Sequence, residues 1–449
     1  MDLQLAFDLS FADLYDDKAL ARVDGAFVDA LAALDADLQS RLMVARKAPE
    51  SLDDKGEADL LLQLAPHVDA FIAKLFGVED ELAALSGRHT DLEPLYACKR
   101  LFVQRRALKG KKPEDANVID GPTLQSRLAL LMGGELTQFS YAQTVMGWLE
   151  DETAHEDDIH AALDYALWAT LSDMGRAHHA SDILFRQPSK LDSAHLVHTD
   201  AVEVAGVMAA QFASTRQIHR DGFKLTDPGC DLVGALDQAH YCVLCHDRGK
   251  DSCRHGLKDK KTGAFQKNDA GVELAGCPLD EKISEMHSAK MRGHAVAAVA
   301  LITVDNPLCA GTGHRICNDC MKSCIYQKQD PVNIPEVETR ALKDVLDLPW
   351  GFEIYSLLTR WNPLNLARTL PKPQSGYKVL VVGMGPAGAA LSHHLMNEGH
   401  AVVAIDGAKI EPLDPALSGI SIGGERGEFV PVRAIDDLRE DLDTRAMAG

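Results

Sequence analysis

Positive charge is scarce in this 449-residue sequence: 46 Lys plus Arg stand against 67 Asp plus Glu, a formal net charge of −21. A surface so acidic repels nucleic acid phosphates and anionic membranes, so neither is an expected partner. Long hydrophobic runs are missing as well. The longest, Ala295 to Val304, is about half of the roughly 20 residues a membrane-spanning helix requires. Met1, Asp2, Leu3 and Gln4 supply neither the basic region nor the apolar core of a secretion signal. Together these absences predict a cytoplasmic protein. With 46% hydrophobic and 25% charged residues the chain is neither disordered nor collagen-like, and its length fits two to four domains of about 150 residues.

Cysteine is nearly absent outside one segment. Of the ten cysteines only Cys98 and Cys230 lie outside 242–324, which leaves eight in 83 positions. In a reducing compartment thiols clustered in this way indicate metal rather than disulfides. Cys98 and Cys230 are expected in the core.

The first 235 residues read as a helical domain of unassigned role. Val23, Phe27, Leu31, Leu34, Leu38 and Leu42 recur at helical spacing and predict one amphipathic helix. Similar patterns around 58–87, 122–133, 159–174 and 201–219 predict further helices. Residues 236–345 form the cysteine-rich segment, interrupted by a polar, lysine-rich stretch, Arg254 to Gly276, that reads as a surface insertion. Between 241 and 330 there are 13 Lys plus Arg against 11 Asp plus Glu, a local excess of positive charge suited to an anionic thiolate centre. Residues 346–376 read as a linker ending in Pro371-Lys372-Pro373-Gln374-Ser375-Gly376.

Beyond it the pattern changes to β-α-β. Tyr377 to Val382 is a β-branched run, Ala387 to Glu398 a helical stretch closed by Gly399, and Ala401 to Ile405 a second strand. Between first strand and helix stands Gly383-Met384-Gly385-Pro386-Ala387-Gly388. In that context the first glycine permits a tight turn, the second admits a pyrophosphate, and the third lets helix and strand pack closely. Asp406, 18 residues past Gly388, is positioned to bind ribose hydroxyls. The turn therefore predicts a dinucleotide held by Gly383, Gly385, Pro386, Ala387, Gly388 and Asp406. FAD and NAD remain open on these residues alone, and the acid disfavours NADPH at this turn. His393 and His394, like His178 and His179 earlier, read as packing or surface residues.

The thiols fall into two groups, Cys242-x2-Cys245-x7-Cys253 with Cys277-Pro278, then Cys309-x7-Cys317-x2-Cys320-x3-Cys324. Either iron–sulfur clusters or two zinc sites fit such spacings. A dinucleotide fold downstream favours iron–sulfur, because one-electron centres complement hydride chemistry and zinc has no redox role.

The ordered motifs Gly276-Cys277-Pro278-Leu279, Asn306-Pro307, Gly313-His314-Arg315-Ile316-Cys317, Pro331-Val332-Asn333-Ile334, Glu338 and Val381-Val382-Gly383 onward resemble the N-terminal half of the glutamate synthase small (beta) subunit and of dihydropyrimidine dehydrogenase. The resemblance spans roughly residues 236–410. It implies an α-helical ferredoxin-like domain with two [4Fe–4S] clusters beside an FAD domain. One cluster would be held by Cys242, Cys245, Cys253 and Cys324, the other by Cys277, Cys317, Cys320 and the carboxylate of Glu338. The sequence departs from that family in the long gap between Cys253 and Cys277, in the additional Cys309, and in Asn318-Asp319 after Cys317. Only 43 residues follow Asp406, with Gly423-Gly424 a faint echo of a second flavin motif, so an incomplete Rossmann-type unit (377–449) and a larger parent oxidoreductase are expected.

The fold expected is thus a mainly α N-terminal region, a ferredoxin-like helical domain and a truncated α/β FAD-binding unit. The expected function is that of an FAD-dependent oxidoreductase passing electrons between NAD(P)H, FAD and two [4Fe–4S] clusters, with a further domain or subunit as electron partner. No residue stands out as a catalytic acid, base or nucleophile. A zinc-stabilised scaffold with a degenerate dinucleotide fold, or an electron-transfer subunit binding NAD at the turn, are the rival readings.

Overall fold

The computed structural model describes residues 3–192, 197, 199–212, 222, 229–312 and 317–407. The described chain is mainly helical. Helices α1 (Asp17–Leu34), α2 (Ala36–Lys47), α3 (Asp54–Phe76) and α4 (Glu79–Cys98) lead into a π-helix (Lys99–Ala107). Then come α5 (Pro113–Asn117), α6 (Gly121–Leu131), α7 (Gln138–Trp148), α8 (Glu156–Leu171) and α9 (Asp173–His178), followed by strands β1 (Thr199–Val204) and β2 (Val207–Phe212). The thiol segment carries α10 (Leu232–Tyr241), α11 (Ser252–His255), α12 (Ile283–Met291), α13 (Ala295–Asp305), α14 (Cys309–Thr312) and α15 (Asp319–Lys322). Last are α16 (Ile334–Leu346), α17 (Gly351–Leu358), β3 (Lys378–Val382), α18 (Pro386–Asn397) and β4 (Ala401–Ile405).

Three expectations about local structure are corrected; the helical stretch predicted over 58–87 is divided between α3 and α4 at Gly77, which ends α3 with φ 65°. The single helix predicted through Leu42 is two, divided at Asp35. That carboxylate accepts the Leu38 amide at 2.9 Å and caps α2, as Asp does at helix starts; Leu34, at the break, is 72% exposed and leaves the stripe. The helix predicted over 201–219 is instead the hairpin β1–β2, paired from Thr199↔Phe212 to Val204↔Val207. Ala205 and Gly206 turn it with φ of 52° and 81°, the two positive values of a tight hairpin turn. Residues 213–219 lie outside the described residues.

Buried side chains gather into two main cores. The first joins α1, α2 and α3 to α13, α16 and α17, and therefore draws on both sides of residue 236. Its centre is α13, buried from Ala295 through Thr303; the longest apolar run is a helix enclosed by protein on all sides. Asp69 of α3 accepts the Ala297 amide at 2.7 Å and satisfies its first turn. Trp361, past α17 and fully buried, donates its indole N–H to Asp24 of α1 at 2.9 Å. The stretch 346–376 thus contributes to this core. The second core packs the end of α4, the π-helix and α6 to α8 against Phe185, with Leu236 of α10 at its edge. Among the described residues no helix is long and apolar enough to cross a membrane.

The last described unit is β3-α18-β4, its two strands parallel and in register from Lys378↔Ala401 to Val382↔Ile405. Gly399, at φ 84°, ends α18 where a Cβ would lie 2.2 Å from the Pro373 carbonyl.

Candidate redox centres and dinucleotide turn

Cys242 follows α10, Cys245 opens the next short turn, Cys253 sits in α11 and Cys324 follows α15. A small apolar cluster brings Cys253 and Cys324 together with Ile283, Val332 and Ile334, with Cys242, Cys277 and Cys320 packed at its margin. Cys253 and Cys324 are hydrogen-bonded through sulfur, and the charge of Cys324 acts on Cys242, Cys245 and Cys253 alike. The four thiols assigned to the first set by resemblance are therefore neighbours in space.

The long gap between Cys253 and Cys277 does not separate them. The polar excursion leaves at Arg254 and returns at Gly276, and its ends touch: the Cys277 amide donates to the Cys253 carbonyl at 2.7 Å. Gly276, at φ 85°, lies so close to the end of α11 that a Cβ would stand 2.4 Å from the Gly256 nitrogen and 2.5 Å from the Arg254 carbonyl. Only glycine fits such an approach at that φ. The excursion itself is mostly exposed and carries the isolated bridges Lys258↔Phe265 and Lys267↔Glu273, whereas Arg254 at its base is buried and faces Glu57 and Asp280 at 3.5 Å each.

The second set gathers at the other margin. Cys277 and Cys317 interact electrostatically, as do Cys320 and Cys277, and Glu338 and Glu281 both act on Cys320. Glu338 is 6% exposed on the inner side of α16, with its Oε1 accepting from the Asn306 amide at 3.2 Å. Burial, then the Glu281 carboxylate, pushes Glu338 up to about 8; burial likewise raises Glu281 to about 7. Glu281 and Glu338 thus meet at Asn306; Cys320 and Cys309 feel both carboxyls, Cys277 feels Glu281, and Cys317 is linked to Cys277. Cys317 is exposed, its sulfur 3.5 Å from the Asp319 amide; Gly313, His314, Arg315 and Ile316 lie outside the described residues. Cys309 is buried, its Sγ 3.8 Å from the Tyr355 hydroxyl. Of the thiols expected in the core, Cys98 is fully buried and Cys230 half-buried, donating to the Glu336 carbonyl at 3.8 Å.

The electrostatics of these sulfurs bear on what they can hold. Burial pushes Cys242 up to about 12 and Cys245 and Cys277 up to about 11, so bare thiolates there would lack solvation. Backbone N–H groups offset part of this cost: Leu244 toward Cys242, Ser252 toward Cys245, Leu279 and Glu281 toward Cys277. Cys324 receives most. The Cys253 thiol, then the amides of Tyr326, Val332 and Ile325, lower it to about 6. Amides aimed at sulfur stabilise thiolate and are among the levers that tune an iron–sulfur potential. The first set brings four neighbouring thiols together, the number of protein ligands a four-iron cluster takes. Among the described residues no group of three or more His, Cys, Asp or Glu is placed to hold a single metal ion; a four-iron cluster takes one ligand per iron and spreads its donors around a volume.

At the glycine turn, Gly383 has φ 95°. Gly385 caps α18 with nothing within 4 Å of its would-be Cβ, whereas a Cβ on Gly388 would sit 1.7 Å from the Gly383 carbonyl. Turn, open approach and close packing thus fall on the three glycines in order. Gly385, Pro386 and Ala387 are exposed at the N-terminus of α18, where free N–H groups favour an anion. Asp406 accepts the Met384 amide, which ties the end of β4 to the turn. His393 is half-buried against Asn397 at 2.9 Å. Gly423 and Gly424 lie outside the described residues.

Sequence reasoning missed Glu281 and the amide donors. Glu281 could have been suspected from its place four residues after Cys277; the amides depend on loop geometry and leave no sequence signal.

Comparison with known proteins finds a weak, partial similarity to an oxidoreductase subunit. The chain is 32% identical to the glutamate synthase [NADPH] small chain of Bacillus subtilis over 166 residues, 36% of this chain and 28% of that one. It is 28% identical to the corresponding chain of Mycobacterium tuberculosis over 141 residues, 31% and 26% respectively. The family itself is that of an uncharacterised protein of Rickettsia prowazekii, RP005: the two are 30% identical over 301 residues, 64% of this chain and 98% of RP005, and residues 5–77 match the RP005 N-terminal alpha-helical domain. The chain belongs to the RP005 family. A further 104 residues' alignment is 64% identical to RP006 of the same organism, covering 23% of this chain and 15% of that protein.

Proposed function

We propose that this chain is the electron-carrying part of an iron–sulfur flavoprotein oxidoreductase. Cys242, Cys245, Cys253 and Cys324 would hold one [4Fe–4S] cluster; Cys277, Cys317, Cys320 and Glu338 would hold the other; Gly383, Gly385, Pro386, Ala387, Gly388 and Asp406 would bind FAD. In this reading 236–345 is a ferredoxin-like domain and β3-α18-β4 belongs to a Rossmann-type FAD domain. The observation that carries the reading is the meeting of Cys324 with three thiols from more than 70 residues earlier in the chain, under three backbone amides. Such clusters, when bound, supply one-electron transfer at potentials set by ligation and burial.

The chain's own residues do the rest. Cys245, Cys253 and Cys324 are buried away from water, and the amides on Cys324 stabilise its negative charge. Glu338, a harder and weaker donor than thiolate, would set the second centre at a different potential. The α18 N-terminus orients a pyrophosphate, and Asp406 fixes the turn that presents it. NAD(P)H as electron source and a further domain or subunit as electron partner belong to the same proposal.

The test is selective loss. Cys324→Ala is expected to remove about half the iron of protein carrying two four-iron clusters, and Glu338→Gln to spare the Cys324 set while altering the spectrum and potential of the other. Equal loss of all iron in both variants, with the melting curve unchanged, or no iron in the parent, contradicts the assignment.

A further inference from the structure

The first thiol set borders a cavity that the redox reading does not use. It measures about 1160 Å³ and opens between the π-helix, α10, the 186–189 segment and the loop after Cys242. Five cationic side chains line it against four carboxylates, in a chain whose net charge is −21. Asp237 on its wall is already shared, by Lys99 at 2.6 Å and Arg186 at 3.2 Å. Three further guanidiniums, Arg100, Arg105 and Arg248, line the cavity, and among the described residues none of the three is paired with a carboxylate.

The walls are fixed. Segment 186–189 is tied to the thiol loops by the Ser189 amide on Asp330 at 2.7 Å and the Asp330 amide on the Ser189 carbonyl at 2.9 Å. Tyr241 and Tyr326 stack at 4.4 Å and 7°, and Tyr96 and His240 at 4.5 Å and 12°; all four rings line the space. Arg100 and Arg105 are delivered by the nine-residue π-helix. Such geometry is rare and concentrates at functional sites, because the wider turn re-aims side chains that an α-helix would carry elsewhere.

We propose that this cavity binds a small, multiply charged anion bearing carboxylate or phosphate groups, held by Arg100, Arg105 and Arg248 beside Cys242. Guanidinium forks match both oxyanions bidentately. The recess and its aromatic walls suit a small molecule of the size that pockets of this order hold. The site does not rest on the thiols carrying iron.

Calorimetric titration of the full chain with pyrophosphate, and separately with citrate, at constant ionic strength tests the proposal. At least one probe should bind, and Arg105→Gln with Arg248→Gln should weaken it by tenfold or more, while Arg22→Gln, outside the cavity lining and paired with Asp13, should leave it unchanged. Preference for pyrophosphate assigns a phosphate ligand, and preference for citrate a carboxylate. No binding of either probe overturns the proposal, as does unchanged affinity in a double variant whose melting curve matches the parent; an acidic protein that binds where both probes fail would make the surface a docking face instead. Absence of iron from the parent protein would count against the redox reading alone, and anion binding retained in that protein would leave this site standing.

Discussion

Substituting Gly276 with alanine probes the joint on which both thiol sets depend. At φ 85° a side chain costs about 1–2 kcal/mol in backbone strain alone. The added Cβ would also stand 2.4 Å from the Gly256 nitrogen and 2.5 Å from the Arg254 carbonyl, both backbone atoms that cannot turn aside. Relief requires the base of the excursion to open. Opening would break the hydrogen bond of 2.7 Å from the Cys277 amide to the Cys253 carbonyl, about 1 kcal/mol, for a combined loss of roughly 2–3 kcal/mol. Gly263→Ala supplies the control, because Gly263 has φ 72° with nothing within 4 Å of its would-be Cβ; it should cost the strain only. The assay is thermal melting with iron quantified per chain after anaerobic reconstitution. Gly276→Ala should melt lower than Gly263→Ala and lose iron from both sets, since one ligand of each flanks the joint. Equal melting and full iron in the two variants would refute the reasoning.

Other outcomes follow from the same structure. Glu285 is almost wholly buried, and burial followed by Asp251 raises it to about 7. A carboxyl that keeps its proton longer when folded costs stability as pH climbs from its unfolded value near 4.3 through 7. Glu285→Gln should therefore be near neutral at pH 4.5 and stabilising by up to about 3 kcal/mol at pH 8; a difference that does not vary with pH in melts at both values would contradict this. Trp361→Ala should cost about 3–5 kcal/mol, because the indole fills the space between Phe27, at 6.1 Å, and Phe71, at 5.6 Å. Hydrogen exchange should accelerate in α1 and α3 as well as α17, and unchanged protection of α1 and α3 would deny that the two ends of the chain share a core.

Periodicity in the sequence was legible where one face of a helix is buried and obscure where tertiary packing decided. α3, α6 and α8 follow their apolar spacing, and β3-α18-β4 follows its glycines. The division at Asp35 turned on a single capping carboxylate inside a continuous stripe. The β1–β2 hairpin carries apolar residues exposed on both faces, so Val204, Val207, Met208 and Phe212 gave no alternation to read. Which thiols meet came from ordered motifs rather than from spacing; the reason Cys253 stays beside Cys277 is a backbone contact between two glycines. The cationic cavity was hidden for a similar reason, since its arginines come from residues about 150 positions apart and converge only in the fold.

The central claim is that the eight donors hold two iron–sulfur clusters. The visible spectrum of the full chain purified without oxygen, with iron, sulfide and zinc measured on the same sample, tests it most directly. The account predicts broad absorption near 400 nm that dithionite bleaches, with about eight irons and eight sulfides per chain. A colourless protein carrying two zinc ions and no sulfide would contradict it.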